Sequence, residues 1–163
     1  MRKVFLILCA LLLVMCKSKQ AANSGKTADK DKTEKTNIQY RDDFRAVSKT
    51  EREAFLKGLK ATEKNYSVLI FTRGYKGEGI QVSNEKKIFF SSNVISNLKT
   101  GIAEEIRIDN TMDTKVFDSY TKKSVILESE ETKKHKFIYL MKDNKNKENP
   151  FSITYSNTLR PLK

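Results

Sequence analysis

The chain contains no tryptophan, one histidine and two cysteines. Both cysteines, Cys9 and Cys16, sit at the amino-terminal end, so no disulfide staples the remainder and no thiolate metal site or thiol nucleophile can be built there. The histidine, His135, stands in KKHKF, a lone imidazole among lysines and so a poor setting for a metal ligand. A catalytic or metal-binding imidazole is not expected from it. No Gly-x-Ser-x-Gly occurs, and a serine nucleophile would have only that one histidine as its base. The glycines of GYKGEG (Gly74, Gly77, Gly79) lack the spacing of a phosphate-cradling loop and read as a hairpin connection. The apolar run Val4–Met15 falls short of the roughly 18 to 20 residues that cross a bilayer.

What the chain has in excess is positive charge, formally +12 over 163 residues. Lysine far outnumbers arginine and is scattered, whereas phosphate and base readers depend on arginine forks with interleaved aromatics. Nucleic acid is therefore not an expected partner; the lysines read as a solvated surface that blunts sheet edges. A mean hydropathy of −0.58 with 38% hydrophobic residues is enough for one core, and the length sets a single ordinary domain plus accessory segments.

The amino terminus has a definite grammar. Arg2 and Lys3 precede the short apolar run, which stops at Cys16 and turns polar in one step. Basic start, short apolar core and Leu13-Val14-Met15-Cys16 together resemble a bacterial lipoprotein signal, departing from it at Met15, where Gly, Ala or Ser is usual. The resemblance implies cleavage before Cys16 and lipidation of its thiol; several acyl chains on one residue anchor a protein far more firmly than one. It also implies a bacterial envelope location, and Lys17 after the cysteine suggests the outer membrane, facing the periplasm. After Cys16 hardly an aliphatic residue occurs before Ile38, a composition that cannot offset chain entropy. The organisation expected is a signal over 1–15, a polar tether over 16–41 and a folded domain over 42–163.

Within that domain, Ser48-Lys49-Thr50-Glu51 has the form of a capping box and opens an amphipathic helix over 49–62, with Phe55, Leu56 and Leu59 facing a sheet. From Tyr66 the period falls to two. Val68–Phe71 is continuously apolar, as in a strand covered on both faces. Strands are further expected near 80–82, 87–91, 102–109, 115–118, 124–128, 136–142 and 151–155. In 102–109, Ile102, Ile106 and Ile108 share one face; in 151–155, Phe151, Ile153 and Tyr155 point inward and Ser152, Thr154 and Ser156 outward. Short polar connections between so many strands predict antiparallel pairing in a two-layer β-sandwich, with a small barrel as the alternative.

Chemistry-bearing residues form no constellation. Asp109, Asp113 and Asp118 with Asn110 offer oxygen ligands for Ca²⁺, but without the tight alternation and glycine of a calcium loop they read as turn formers. Glu128, Glu130 and Glu131 read as a solvated loop flank. No catalytic residue, metal site or cofactor is assigned. Aromatic side chains in loops are the remaining candidates for a ligand platform, and Tyr75 and Tyr120 both fall in expected loops. The functional expectation is a non-catalytic binding module for an envelope protein or glycan. The alternatives are an inhibitor or immunity-type lipoprotein neutralising one protein partner, and an envelope hydrolase. A concave face with paired carboxylates would favour the enzyme; a flat polar face with exposed Tyr75 or Tyr120 would favour binding.

Overall fold

The structure, a computed structural model, describes residues 36–162. The described residues form nine strands and two short helices. In chain order they are β1 (Asn37–Tyr40), α1 (Lys49–Gly58), β2 (Tyr66–Phe71), β3 (Lys76–Ser83), β4 (Ile88–Ile95), β5 (Glu104–Asp109), β6 (Thr114–Asp118), β7 (Ser124–Leu127), α2 (Ser129–Thr132), β8 (Phe137–Lys142) and β9 (Phe151–Ser156). Two open sheets pack face to face, one ordered β1-β9-β8-β2-β5 and the other β4-β3-β6-β7. This is the sandwich, not the barrel.

Side-chain parity builds the layers. Leu69 and Phe71 of β2, Ile138 and Leu140 of β8, and Phe151, Ile153 and Tyr155 of β9 meet Ile80, Val82, Val116, Val125 and Leu127 of the second sheet. Residues of opposite parity, Val68, Ile70, Phe137 and Tyr139, point to the outer face, where Leu56 and Phe55 of α1 cover them. Val68–Phe71 is thus buried from both sides, which is why it reads as an unbroken apolar run. The expected inward set of β9 is buried, but Ser156, expected outward, is buried as well, because its hydroxyl is held by Asp42 and the Thr158 carbonyl.

Four further expectations need correction. The tether does not run to Arg41: residues 37–40 form β1, which adds to β9 in parallel chiefly through backbone bonds, its four side chains all exposed, so it shows no burial pattern. Pairing is not purely antiparallel, since β2 also lies parallel to β8. The short polar loop expected over ESEETKKH contains α2. Ile102 lies outside β5 and packs on the outer cluster instead of sharing the inner face with Ile106 and Ile108.

Helix α1 starts as expected and stops early. Ser48 Oγ accepts from the Glu51 amide at 3.2 Å, and the Glu51 carboxylate accepts from the Ser48 amide at 2.9 Å, completing the capping box. At the other end Lys60 adopts a left-handed φ of 52°, the Ala61 amide donates to the Leu56 carbonyl at 2.8 Å, and the Lys60 amide donates to Lys57 at 3.0 Å. These are the two bonds of a Schellman termination, with lysine where glycine is usual. Buried Ala61 then packs against Leu56.

Candidate binding cleft

At one end of the sandwich, three inward-facing positions carry charge instead of hydrocarbon. Lys142 closes β8 with the parity of Ile138 and Leu140; Glu78 precedes Ile80 and Val82 in β3; Asp118 follows Thr114 and Val116 in β6. The three meet between the sheets. Lys142 Nζ lies 2.8 Å from Glu78 Oε1 and 2.6 Å from Asp118 Oδ2, with the lysine and aspartate side chains 1% and 0% exposed and the glutamate 9%. One cation thus joins the first sheet to two strands of the second.

Burial pushes the Asp118 carboxyl up, but the Lys142 ammonium and the amides of Tyr120 and Thr121 outweigh it, so it is held below the usual carboxylate range. Glu78 follows the same pattern, with the Lys142 ammonium and the Lys76 amide overcoming its desolvation. Desolvation pulls Lys142 down, and its two carboxylates more than reverse that, leaving it raised. All three groups are therefore ionised near neutral pH and the cluster carries one net negative charge. The Arg73–Gly74 turn fixes the lysine backbone: the Lys142 amide donates to the Arg73 carbonyl at 3.0 Å, and a Cβ on Gly74, at φ +99°, would fall 1.8 Å from the Lys142 oxygen.

Glu78 and Lys142 of the cluster line an open cleft of about 920 Å³, whose walls include Lys76, Tyr120, Asn144 and Lys147; Asp118 is fully buried and does not line it. Asp118 also shapes the wall. Its Oδ1 accepts from the Tyr120 amide at 2.8 Å and the Thr121 amide at 3.2 Å, tying down the β6–β7 turn. Tyr120 is left 80% exposed at the mouth, with the Lys142 ammonium 5.9 Å from its ring centre. The expectation of a presented loop aromatic holds for Tyr120.

It does not hold for Tyr75, which is 2% exposed. Its ring packs edge-on against Phe71 at 5.4 Å, and burial, followed by Asp118 and Glu78, drives its hydroxyl well above the usual tyrosine range. A loop residue whose neighbours on both sides are pinned to the sheets folds inward when its ring completes the core, and Tyr75 does so. Cys16, the expected lipidation site, lies outside the described residues.

The other residues weighed from the sequence serve local structure. Asp109 accepts from the Thr111 amide and hydroxyl at 3.0 and 2.6 Å, and Asp113 accepts from the Ser129 amide at the start of α2 at 2.7 Å, so neither converges with Asp118. His135 is turned toward Tyr40 and Tyr155, with ring centres 5.5 and 5.3 Å away, and toward Glu131 Oε2 at 4.0 Å. Its Nδ1 lies closest to the Glu131 backbone carbonyl, at 2.9 Å, and the ring faces these groups instead of the lysines beside it in sequence. Among the described residues no helix is long and apolar enough to cross a membrane.

By architecture the protein is a mainly β sandwich with a charged, tyrosine-lipped cleft at one end. No protein-family model and no curated protein matches the chain.

Proposed function

We propose that the protein is a lipid-anchored envelope lipoprotein, held through Cys16, whose sandwich is a non-catalytic module binding a polar envelope ligand, best a glycan, in the cleft beside Tyr120. The observation that carries this reading is an exposed aromatic ring on an open cleft where Lys142 and Glu78 are already paired with each other. Polyhydroxyl ligands suit such a site: the ring offers an apolar face, while Asn144, Lys76 and Lys147 offer donors at the margin.

Glu78 and the buried Asp118 that shares its cation form a carboxylate pair, the feature expected of a hydrolase, but only Glu78 of the two lines the cleft. Glycoside hydrolysis needs one of the pair kept protonated as the acid. Here Lys142 binds both and both are held ionised, while Asp118 spends its other oxygen on backbone amides. This arrangement favours holding a ligand over cleaving it. The inhibitor reading draws some support from Ile95 at the end of edge strand β4, 66% exposed, with fully exposed Leu98 three residues on.

Co-sedimentation with isolated cell-wall glycan tests the cleft. The wild-type protein should sediment with it and Tyr120→Ala should bind about tenfold less, matching the ~1.4 kcal/mol of a good aromatic contact. Equal sedimentation of the two would refute the site. Anchoring is tested separately: Cys16→Ser should leave the membrane fraction after a carbonate wash, and retention there would overturn the lipid attachment.

A further inference from the structure

A second cavity, of about 310 Å³, opens beside the end of β8 on the outer side of the first sheet, between the β2–β3 turn, the loop before β5 and the carboxyl-terminal segment. Its lining divides by chemistry. Ile102, Met141 and Leu162 supply apolar surface; Arg73, Arg160 and Thr100 supply donors; no Asp or Glu lines it.

The two arginines meet no carboxylate among the described residues, although the Arg160 side chain also hydrogen-bonds the Tyr139 hydroxyl. Arg160 packs against two rings, its guanidinium carbon 3.8 Å from the Tyr139 centre and 4.0 Å from that of Phe44, and its Nε is buried without a hydrogen-bond partner. The two rings, inclined 70° to each other, hold the guanidinium and exclude water from part of it, and burial correspondingly disfavours its charge. Among the described residues neither Arg160 nor Arg73 forms an ion pair with a carboxylate. The Thr100 hydroxyl accepts from the Ile102 amide at 3.2 Å, which leaves its own hydrogen to give. A buried donor without an acceptor costs stability unless something supplies one. Two arginines beside one small cavity supply the charge that an oxyanion would answer.

We infer that this cavity is a binding site for a small organic oxyanion, a phosphate or carboxylate borne on a short apolar body, with Arg160 and Arg73 gripping the oxygens and Ile102, Met141 and Leu162 covering the body. The site is independent of the cleft beside Tyr120. Its volume stands at the small end of ligand pockets, so the body is of single-ring size or a short chain.

Titration of the isotope-labelled full chain with phenyl phosphate, inorganic phosphate, dihexanoyl phosphatidate and benzyl alcohol, followed through the Thr100, Gly101 and Ile102 amides, decides the matter. Phenyl phosphate should give saturable shifts at lower concentration than inorganic phosphate, and benzyl alcohol should give none. A tighter response to the phosphatidate than to phenyl phosphate would identify a lipid headgroup as the source, and the reverse order a soluble anion; either supports the site. Arg73→Gln, at an exposed position that leaves the fold intact, should weaken phenyl phosphate about tenfold, and Arg160→Met should weaken it further. The inference is overturned if no anion saturates, if benzyl alcohol or inorganic phosphate matches phenyl phosphate, or if Arg73→Gln binds as the wild type does.

Discussion

Replacing Lys142 with methionine should cost the sandwich far more than its one lost side-chain charge suggests. Methionine keeps most of the apolar stem, so packing changes little; what remains is two carboxylates, 0% and 9% exposed, facing each other without a cation. A buried carboxylate deprived of its partner escapes by taking a proton. Protonation near neutral pH, about three units above an ordinary carboxylate pKa, costs roughly 4 kcal/mol and caps the penalty for each group. Asp118 keeps its two backbone donors and Glu78 lies at the cleft edge, so the expected loss is about 3 kcal/mol, at the low end for a broken buried pair. Urea unfolding measures it: with a slope of 1 to 3 kcal/mol per molar, the midpoint should fall by about 1.5 M.

The pH dependence separates charge from packing. In the wild type the folded carboxylates are depressed, so their stabilisation is present above the ordinary carboxylate range and lost as pH falls through the folded values. In Lys142→Met the carboxyls are raised, so the variant's stability is retained at low pH and lost as pH rises. The gap between the two proteins should therefore be widest near neutrality and shrink by more than half by about pH 4. Combining Lys142→Met with Asp118→Asn and Glu78→Gln should restore at least half of the loss, since the asparagine carbonyl still accepts from the Tyr120 amide. A deficit below about 1 kcal/mol, or one equally large at both pH values, would refute the account of the cluster as an ionic clasp.

Two further outcomes follow from local geometry. Lys60→Gly should raise stability by about 1 kcal/mol, because the Schellman bonds need only the left-handed backbone that lysine adopts at a cost; thermal melting reads it, and an unchanged or lowered midpoint would count against the cost assigned to that φ. Asp42 accepts from the Asn157 amide, the Ser156 hydroxyl and the Thr158 amide, and those bonds, the first foremost, hold its carboxyl below the usual range. Its contribution should therefore be present above the ordinary carboxylate range and vanish as pH falls through the lowered value, so Asp42→Asn should melt below the wild type near neutrality and equally with it in acid.

Where burial or capping is set by a local pattern, the sequence is a direct record of the fold. The capping box of α1, the double-sided run of β2 and the alternating β9 all state their burial in their residues. Elements held by backbone pairing or by unusual dihedrals leave no such record. Strand β1 is exposed along its length and joins the sheet through hydrogen bonds to β9, which any sequence can make. Helix α1 stops four residues before its expected end, because termination depends on a lysine in a conformation that lysine does not advertise. The parallel contact between β2 and β8 joins segments nearly seventy residues apart in the chain, and no local period encodes partners at that distance.

The cleft stands between these cases, since its parts are legible and their meeting is not. Each member of the cluster obeys the alternation of its own strand: Lys142 follows Ile138 and Leu140, Glu78 precedes Ile80 and Val82, and Asp118 follows Val116. A charge at an inward position of a strand is a local conflict, and such conflicts mark places where another element must supply the answer. Lysine demands carboxylate, and each carboxylate demands a cation, so the three violations are mutually consistent only if they share one end of the sandwich. That requirement fixes the relative register of the two sheets more sharply than hydrocarbon packing does, because an apolar core tolerates sliding that an unpaired buried charge does not. The same aspartate then anchors the turn that presents Tyr120. The ring offered to a ligand is thus positioned by the clasp that aligns the sheets, and disturbing Lys142 should loosen the binding face together with the fold.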